Sequence, residues 1–177
     1  ILKELEAEGY NIYPTAHSLE VIQNKFDQKT VLKNDDIAVP DFKKVANIDD
    51  IKKGAEEFGY PLMLKSCTGG YDGKGNYLIK DELEVEKAFN DLGAGKKPLM
   101  VERYIPFKKE ISIIAARALD GDMKVYTVGE NDHKNNILYE TKVPAEISSN
   151  LEKEAEEFAK EVLEVFEGVG IFCVEMF

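Results

Sequence analysis

The run Lys65-Ser66-Cys67-Thr68-Gly69-Gly70-Tyr71-Asp72-Gly73-Lys74-Gly75-Asn76 holds four glycines, one lysine inside the loop and another at its start. Glycines let backbone N–H groups turn toward an anion in conformations that other residues avoid, and lysines add charge that amide dipoles alone do not supply. The chemistry on offer is a phosphate cradle, and the plain alternative is a glycine-rich hairpin turn. Lys74 is followed by Gly75 rather than Ser or Thr, and a strand pattern follows where a P-loop needs a helix, so that motif is excluded.

Glu175 is the one carboxylate in the apolar run 171–177, where period two puts Cys173, Glu175 and Phe177 on one face and Phe172, Val174 and Met176 on the other. A buried carboxylate needs a cation or metal beside it; the alternative is a strand end open to solvent. Glu110 opens another apolar strand just after Lys108 and Lys109, with a salt bridge to either lysine as its simple reading. Glu102 follows Leu99-Met100-Val101 at a strand end, a common place for a ligand contact and equally for a solvated side chain. His133 lies in a polar run, 129–136, that reads as an exposed connection between strands, and His17 precedes a helix start without a companion. No Ser/His/Asp arrangement, Cys/His metal spacing or dehydrogenase-type nucleotide fingerprint is present.

The elements that must position these residues follow from periodicity. Helical patterns cover Ser18 to Leu32, Ile48 to Phe58 (stripe Ile48, Ile51, Ala55, Phe58, closed by Gly59), Leu83 to Leu92 (stripe Leu83, Ala88, Phe89, Leu92) and Ser148 to Glu167 (stripe Leu151, Ala155, Phe158, Val162, Phe166). Residues 37–40 read as a connector. Strands are expected at 61–65, 76–79 and 99–101, from Glu110 to Leu119, from Met123 to Val128 after an Asp-Gly turn, and at 169–177. The glycine loop therefore joins two paired strands. Residues 1–14 read as the remnant of a preceding domain, 15–104 as one subdomain with leading helices and 105–177 as a second, with the boundary near Glu102 to Pro106.

With 23 Lys and Arg against 34 Asp and Glu, the net charge is −11, which argues against nucleic acid as a partner, because a polyphosphate backbone demands a basic face. A small anion remains compatible if a few cations are focused on it. Two cysteines, Cys67 and Cys173, make no disulfide framework, and we read a reducing, cytoplasmic setting. No apolar run approaches a membrane span and no signal peptide is visible, so no membrane partner is expected. The start at Ile1 and the end within a strand pattern read as a fragment of a longer polypeptide.

Taken together the motifs resemble the ATP-grasp superfamily, and within it the 5-(carboxyamino)imidazole ribonucleotide synthetases of purine biosynthesis. The carriers are Lys65 with Thr68 to Asn76, Val101-Glu102-Arg103-Tyr104, Lys109-Glu110-Ile111-Ser112, Glu130-Asn131-Asp132-His133 and 170–177, with 22–29 similar to the family's leading helix. The fold class implied is α+β: a small α/β lid subdomain and a larger antiparallel-sheet and helix subdomain, incomplete at both ends. The resemblance implies ATP and Mg2+, with Lys25 and Lys65 on the phosphates and Gly70, Gly73, Lys74, Gly75 and Asn76 in the closing loop. It puts Glu102, Arg103, Tyr104 and Ile105 at the adenine, Glu110 on the ribose, His133 near the nucleotide and Glu175 on magnesium. Tyr71 and Asp72 would face the second substrate and, with Lys74, serve catalysis.

The reaction implied is ATP-dependent carboxylation of 5-aminoimidazole ribonucleotide by bicarbonate through carboxyphosphate, and the resemblance leaves room for a homodimer of the longer protein. Cys67 stands where many relatives carry a basic residue. The Asn-Glu pair that completes the family's magnesium site is not in this sequence, so the segment alone is expected to be weak or dead in catalysis. The rival readings are another ATP-grasp carboxylate-amine ligase, distinguished by its acceptor, and a non-catalytic nucleotide-binding module, distinguished by binding without turnover.

Overall fold

Alternation and capping account for most of the elements. In this computed structural model the described residues are 1–70, 74–134, 136–166 and 168–177. They fall into two compact units, Gln23–Lys33 with Ala38–Pro106, and Ile1–Ile22 with Asn34–Ile37 and Phe107–Phe177.

The first unit is built on a four-stranded antiparallel sheet of β1 (Phe42–Val45), β2 (Leu62–Ser66), β3 (Asn76–Ile79) and β4 (Leu99–Arg103), in the order β1-β4-β2-β3. Period two sends Leu62, Leu64, Leu99, Val101, Val45 and Ile79 to one face. There they form a core with α4 (Ile48–Phe58) and α5 (Val85–Asp91), each fully buried aliphatic side chain contributing about 1.5–3 kcal/mol. α4 starts at a capping box in which Asn47 accepts from the Asp50 N–H while the Asp50 carboxylate accepts from the Asn47 N–H, and its last turn closes on Gly59 at φ +78°. The expected stripe holds, with Ile51, Ala55 and Phe58 buried and Ile48 packed beside them.

Leu83 does not belong to the α5 stripe. Asp81 caps a single 3-10 turn over Glu82–Glu84, Leu83 is 91% exposed, and Val85 takes the core position instead. Ala88 and Leu92 of the expected stripe are buried and Phe89 packs against the same core, so the 3-10 turn displaces Leu83 alone. β1 was not foreseen either, because Phe42-Lys43-Lys44-Val45 shows no apolar alternation. The opposite face of the sheet carries Phe42, Lys44, Met63, Lys65, Met100, Glu102 and Asn76. Against it packs α3 (Lys25–Asn34), through an edge-on contact of the Phe26 and Phe42 rings, 5.4 Å between centroids.

The second unit contains α1 (Leu2–Ala7), α2 (Ala16–Gln23, which runs to the edge of the unit), α6 (Ser149–Val165) and an antiparallel sheet of β5 (Glu110–Arg117), β6 (Met123–Val125), β7 (Gly129–Lys134), β8 (Ile137–Lys142) and β9 (Gly170–Met176). β9 pairs along the whole of one edge of β5, while β6 and β7 divide the other edge between its two halves. Ile111, Ile113, Ala115, Phe172 and Val174 face α6, whose buried side is Ala155, Ala159, Val162 and Leu163. Leu151, expected on that side, is 45% exposed in the first turn, while Ala155 and Val162 of the expected stripe are buried. The polar run at 129–136 holds β7 rather than an open connection. Its side chains hydrogen-bond across strands, so polarity there does not mean loop. The returning strand after the Asp120-Gly121 turn is short, ending at Val125, with Tyr126 62% exposed.

Candidate functional site

In the unit around β2 and β4, Glu102 is 1% exposed, not a solvated strand end. Its Oε1 lies 2.7 Å from Lys29 Nζ and its Oε2 2.5 Å from Lys65 Nζ. Burial pushes the Glu102 carboxyl up, but the adjacent Lys65 and Lys29 charges outweigh it and hold the group below its ordinary value of 4.5. A carboxylate flanked by two ammonium groups leaves one positive charge in excess. Asn76 faces the same side, opposite Lys65 in the ladder, and its Oδ1 is buried without a hydrogen-bond partner among the described residues.

The glycine loop leaves β2 beside this cluster and returns into β3, as the sequence predicts. Ser66 N donates to Gly75 O at 2.8 Å, and a Cβ on Gly75 would lie 2.7 Å from Gly70 Cα, so the two arms of the loop approach at a distance only glycine allows. A Cβ on Gly70 would lie 3.7 Å from Lys25 Nζ, which places Lys25 against the loop. The Lys25 N–H donates to Cys67 O at 2.8 Å, tying the start of α3 to the base of the loop. Cys67 itself is buried, and burial pushes its thiol up, so it stays protonated and unreactive. Lys74 is exposed. Tyr71, Asp72 and Gly73 lie outside the described residues.

Arg103 turns to the side of the sheet opposite Glu102. Its Nε lies 3.2 Å from Asp41 Oδ2, Nη1 donates to Phe58 O at 3.3 Å, and the guanidinium lies over the Phe58 ring. Tyr104 and Ile105 follow outside any helix or strand and are half-buried. In this unit Lys25, Lys65, Gly70, Gly75, Asn76 and Glu102 are thus gathered on one side, while the Arg103 side chain points away. Lys29 was missed by the sequence reading: a lysine four residues after another on a helix looks like a solvated face. Its signal is the single Glu in an apolar strand that must find a cation.

In the other unit, the register places Glu110, Ser112, Asn131, Thr141 and Glu175 on the sheet face turned away from α6. Glu110 Oε2 lies 3.2 Å from His133 Nδ1, and period two along β7 puts that imidazole on the face of Asn131, the cross-strand partner of Glu110. Lys109 Nζ goes to Glu130 Oε2 at 2.7 Å and to Glu146 O at 3.0 Å, and the Lys109 hydrogen bond holds Glu130 below the usual carboxylate range. Asn131 is buried, its Oδ1 accepting from Ser112 and Thr141 hydroxyls at 3.2 and 2.9 Å. Glu175 is exposed, so the expectation of a buried carboxylate in β9 is corrected: the strand's α6 side is apolar and its other side open. For a metal ion, the described residues offer no cluster of three or more ligating side chains. Glu175, exposed on that face, does suit a hard cation that takes one or two carboxylates and draws its remaining oxygens from a phosphate ligand. Among the described residues no helix is long and apolar enough to cross a membrane.

Comparison with known proteins bears on both units. The chain is 41% identical over 168 residues to a phosphoribosylaminoimidazole carboxylase of Candida albicans, a match covering 94% of this chain and 29% of that protein. It superimposes on the ADP complex of an N5-carboxyaminoimidazole ribonucleotide synthetase with a TM-score of 0.92 and 36% identity, over 99% of this chain and 46% of the other. It also superimposes on an Aspergillus clavatus N5-carboxyaminoimidazole synthase, solved with ADP and 5-aminoimidazole ribonucleotide, with a TM-score of 0.89 and 30% identity, over 98% and 45%. The chain therefore spans less than half the length of these relatives. The model of the ATP-grasp domain matches residues 29–177, which include both sheets, and the chain belongs to the ATP-grasp family.

Proposed function

We propose that the protein carrying this chain uses ATP, with magnesium, to carboxylate 5-aminoimidazole ribonucleotide with bicarbonate in cytoplasmic purine biosynthesis. The observation that carries the reading is the grouping of Lys25, Lys65 and Glu102 beside a loop whose glycines approach to van der Waals distance, in a chain 36% identical to a synthetase solved with ADP. Lysines and loop amides suit the charge on a transferring phosphoryl group. In the unit with β2, Lys25 and Lys65 take phosphate oxygens, Gly70, Gly73, Lys74, Gly75 and Asn76 close over them, and the chain from Glu102 through Arg103, Tyr104 and Ile105 receives the adenine. In the unit with β5, Glu110 holds the ribose hydroxyls with His133 beside it, and Glu175 is a magnesium ligand. Tyr71 and Asp72 face the amine substrate.

Magnesium supplies charge neutralisation for the phosphates. The chain's own residues orient the nucleotide, and the closed loop keeps water from the mixed anhydride of carbonate and phosphate before the amine attacks it. The test is phosphate release from ATP by a chain as long as the relatives. Release should require both bicarbonate and 5-aminoimidazole ribonucleotide, and stimulation by a different amine instead would move the assignment to another ATP-grasp ligase. In the same assay Asp72→Asn should lower carboxylation more than ATP affinity; an equal loss of both would remove the proposed division of the loop.

A further inference from the structure

One cation suffices to neutralise a carboxylate, yet the buried Glu102 carboxylate has two, from different elements: Lys65 on β2 and Lys29 on α3. Of the other charged groups on this side, Lys25 lies against Gly70 in the glycine loop and Asp27 on α3 accepts from the Asn24 amide, and the rest are engaged or turned elsewhere. Lys44 on β1 lies over the Phe26 ring, Lys33 on α3 lies over Phe42 and 3.5 Å from Asp41, and Arg103 with Asp41 belongs to the opposite side. α3 is fastened before Lys29 by the Lys25 N–H on Cys67 O and by the Phe26 ring on Phe42, and after it by Lys33, 3.5 Å from Asp41, so the backbone that carries Lys29 is held against the sheet. Lys65 is instead the last but one residue before the strand opens into the glycine loop. If Lys65 turned to an anion, Glu102 would keep a cation only because Lys29 stays.

We infer that Lys29 is a positioning residue: it holds Glu102 ionised and in place, so that Lys65 can exchange the carboxylate for a polyphosphate oxygen without stranding a buried charge. Lys29 touches neither nucleotide nor reacting atoms and acts through Glu102 and Lys65. The inference rests on the nucleotide reading above for the identity of the anion, and on the cluster alone for the role of Lys29. Burial disfavours an unpaired carboxylate strongly enough that, without Lys29, the departure of Lys65 would be accompanied by proton uptake at Glu102.

Two measurements test it. Lys65→Met reproduces the departure of Lys65 with no ligand present. In that variant the Glu102 side-chain carboxyl, followed by 13C NMR, should titrate lower than it does in the Lys65→Met/Lys29→Met double variant, and equal midpoints in the two would overturn the inference. The second is calorimetry of magnesium-ATP binding, with inorganic tripolyphosphate as a base-free probe, in buffers of different ionisation heat. Relative to the wild-type chain, Lys29→Met should take up about one further proton on binding, so that its dissociation constant rises by about a further tenfold per pH unit wherever that uptake is measured. Lys29→Arg should restore the wild-type profile. Weaker binding by Lys29→Met with an unchanged pH profile would make Lys29 merely structural and overturn the inference. If the wild-type chain binds neither probe, the nucleotide reading falls, while the Lys65→Met titration still decides the role of Lys29.

Discussion

Glu102 has a folded-state pKa held below 4.5 by two lysines, and the sign of its linkage follows. Its contribution to stability is fully present above the unfolded value and is lost as pH falls through the folded one. Denaturant unfolding followed from pH 7 to pH 3 should therefore show a loss of stability below about pH 4.5 that is blunted in Glu102→Gln. At pH 7 the same variant should be less stable by about 3–5 kcal/mol, the usual cost of breaking a buried pair from one side. What the sequence allowed at this scale was a carboxylate in an unusual place, for Glu102 as for Glu110. Whether that place is dry depends on what covers it, and α3 covers Glu102 through an aromatic contact that no spacing encodes. Glu175 shows the converse: an apolar run surrounds it in sequence, but half of that run faces outward. Partners were equally hidden, since Lys109 lies beside Glu110 in sequence yet its ammonium reaches Glu130 and Glu146 O, a choice made by strand register.

At the scale of elements, α4 and β4 show how closely helix and sheet meet under the site. Gly54 lies on the buried side of α4, and a Cβ there would come 2.6 Å from Val101 Cγ2. Gly54→Ala, which in an exposed helix would add stability, should here cost about 1–3 kcal/mol by overpacking, read from the denaturation midpoint. Because Val101 adjoins Glu102, the shift should also disturb the ion cluster on the other face of the strand. α4 was legible because its apolar period and terminal glycine agree with one another, and β2 and β3 because the glycines punctuate two apolar runs. β1 and β7 were not, since each carries polar residues on the face that would have to show alternation. The stripes of α5 and α6 fail only at their first residues, Leu83 and Leu151, where a 3-10 turn or a first helical turn leaves the side chain outside the core that the later positions reach.

For the whole molecule, an acidic surface coexists with lysines concentrated on one sheet face. The excess of 11 negative charges predicts no retention by duplex DNA in a gel-shift assay at about 150 mM salt, where nonspecific binding needs several phosphate contacts. A shifted band would contradict this. The antiparallel architecture was legible from the turns, but the central place of β5 was not, because its partners come from both before and after α6. That arrangement has a consequence for synthesis. β6 and β7 emerge soon after β5 and can occupy one of its edges at once, whereas β9 follows only after the seventeen residues of α6 have been made. A nascent or prematurely released chain ending before residue 170 would present the whole other edge of β5, flanked by Ile111 and Ile113, as an open template for a neighbouring copy. Such products should coaggregate, and a chaperone that shields strand edges should be needed most in that interval.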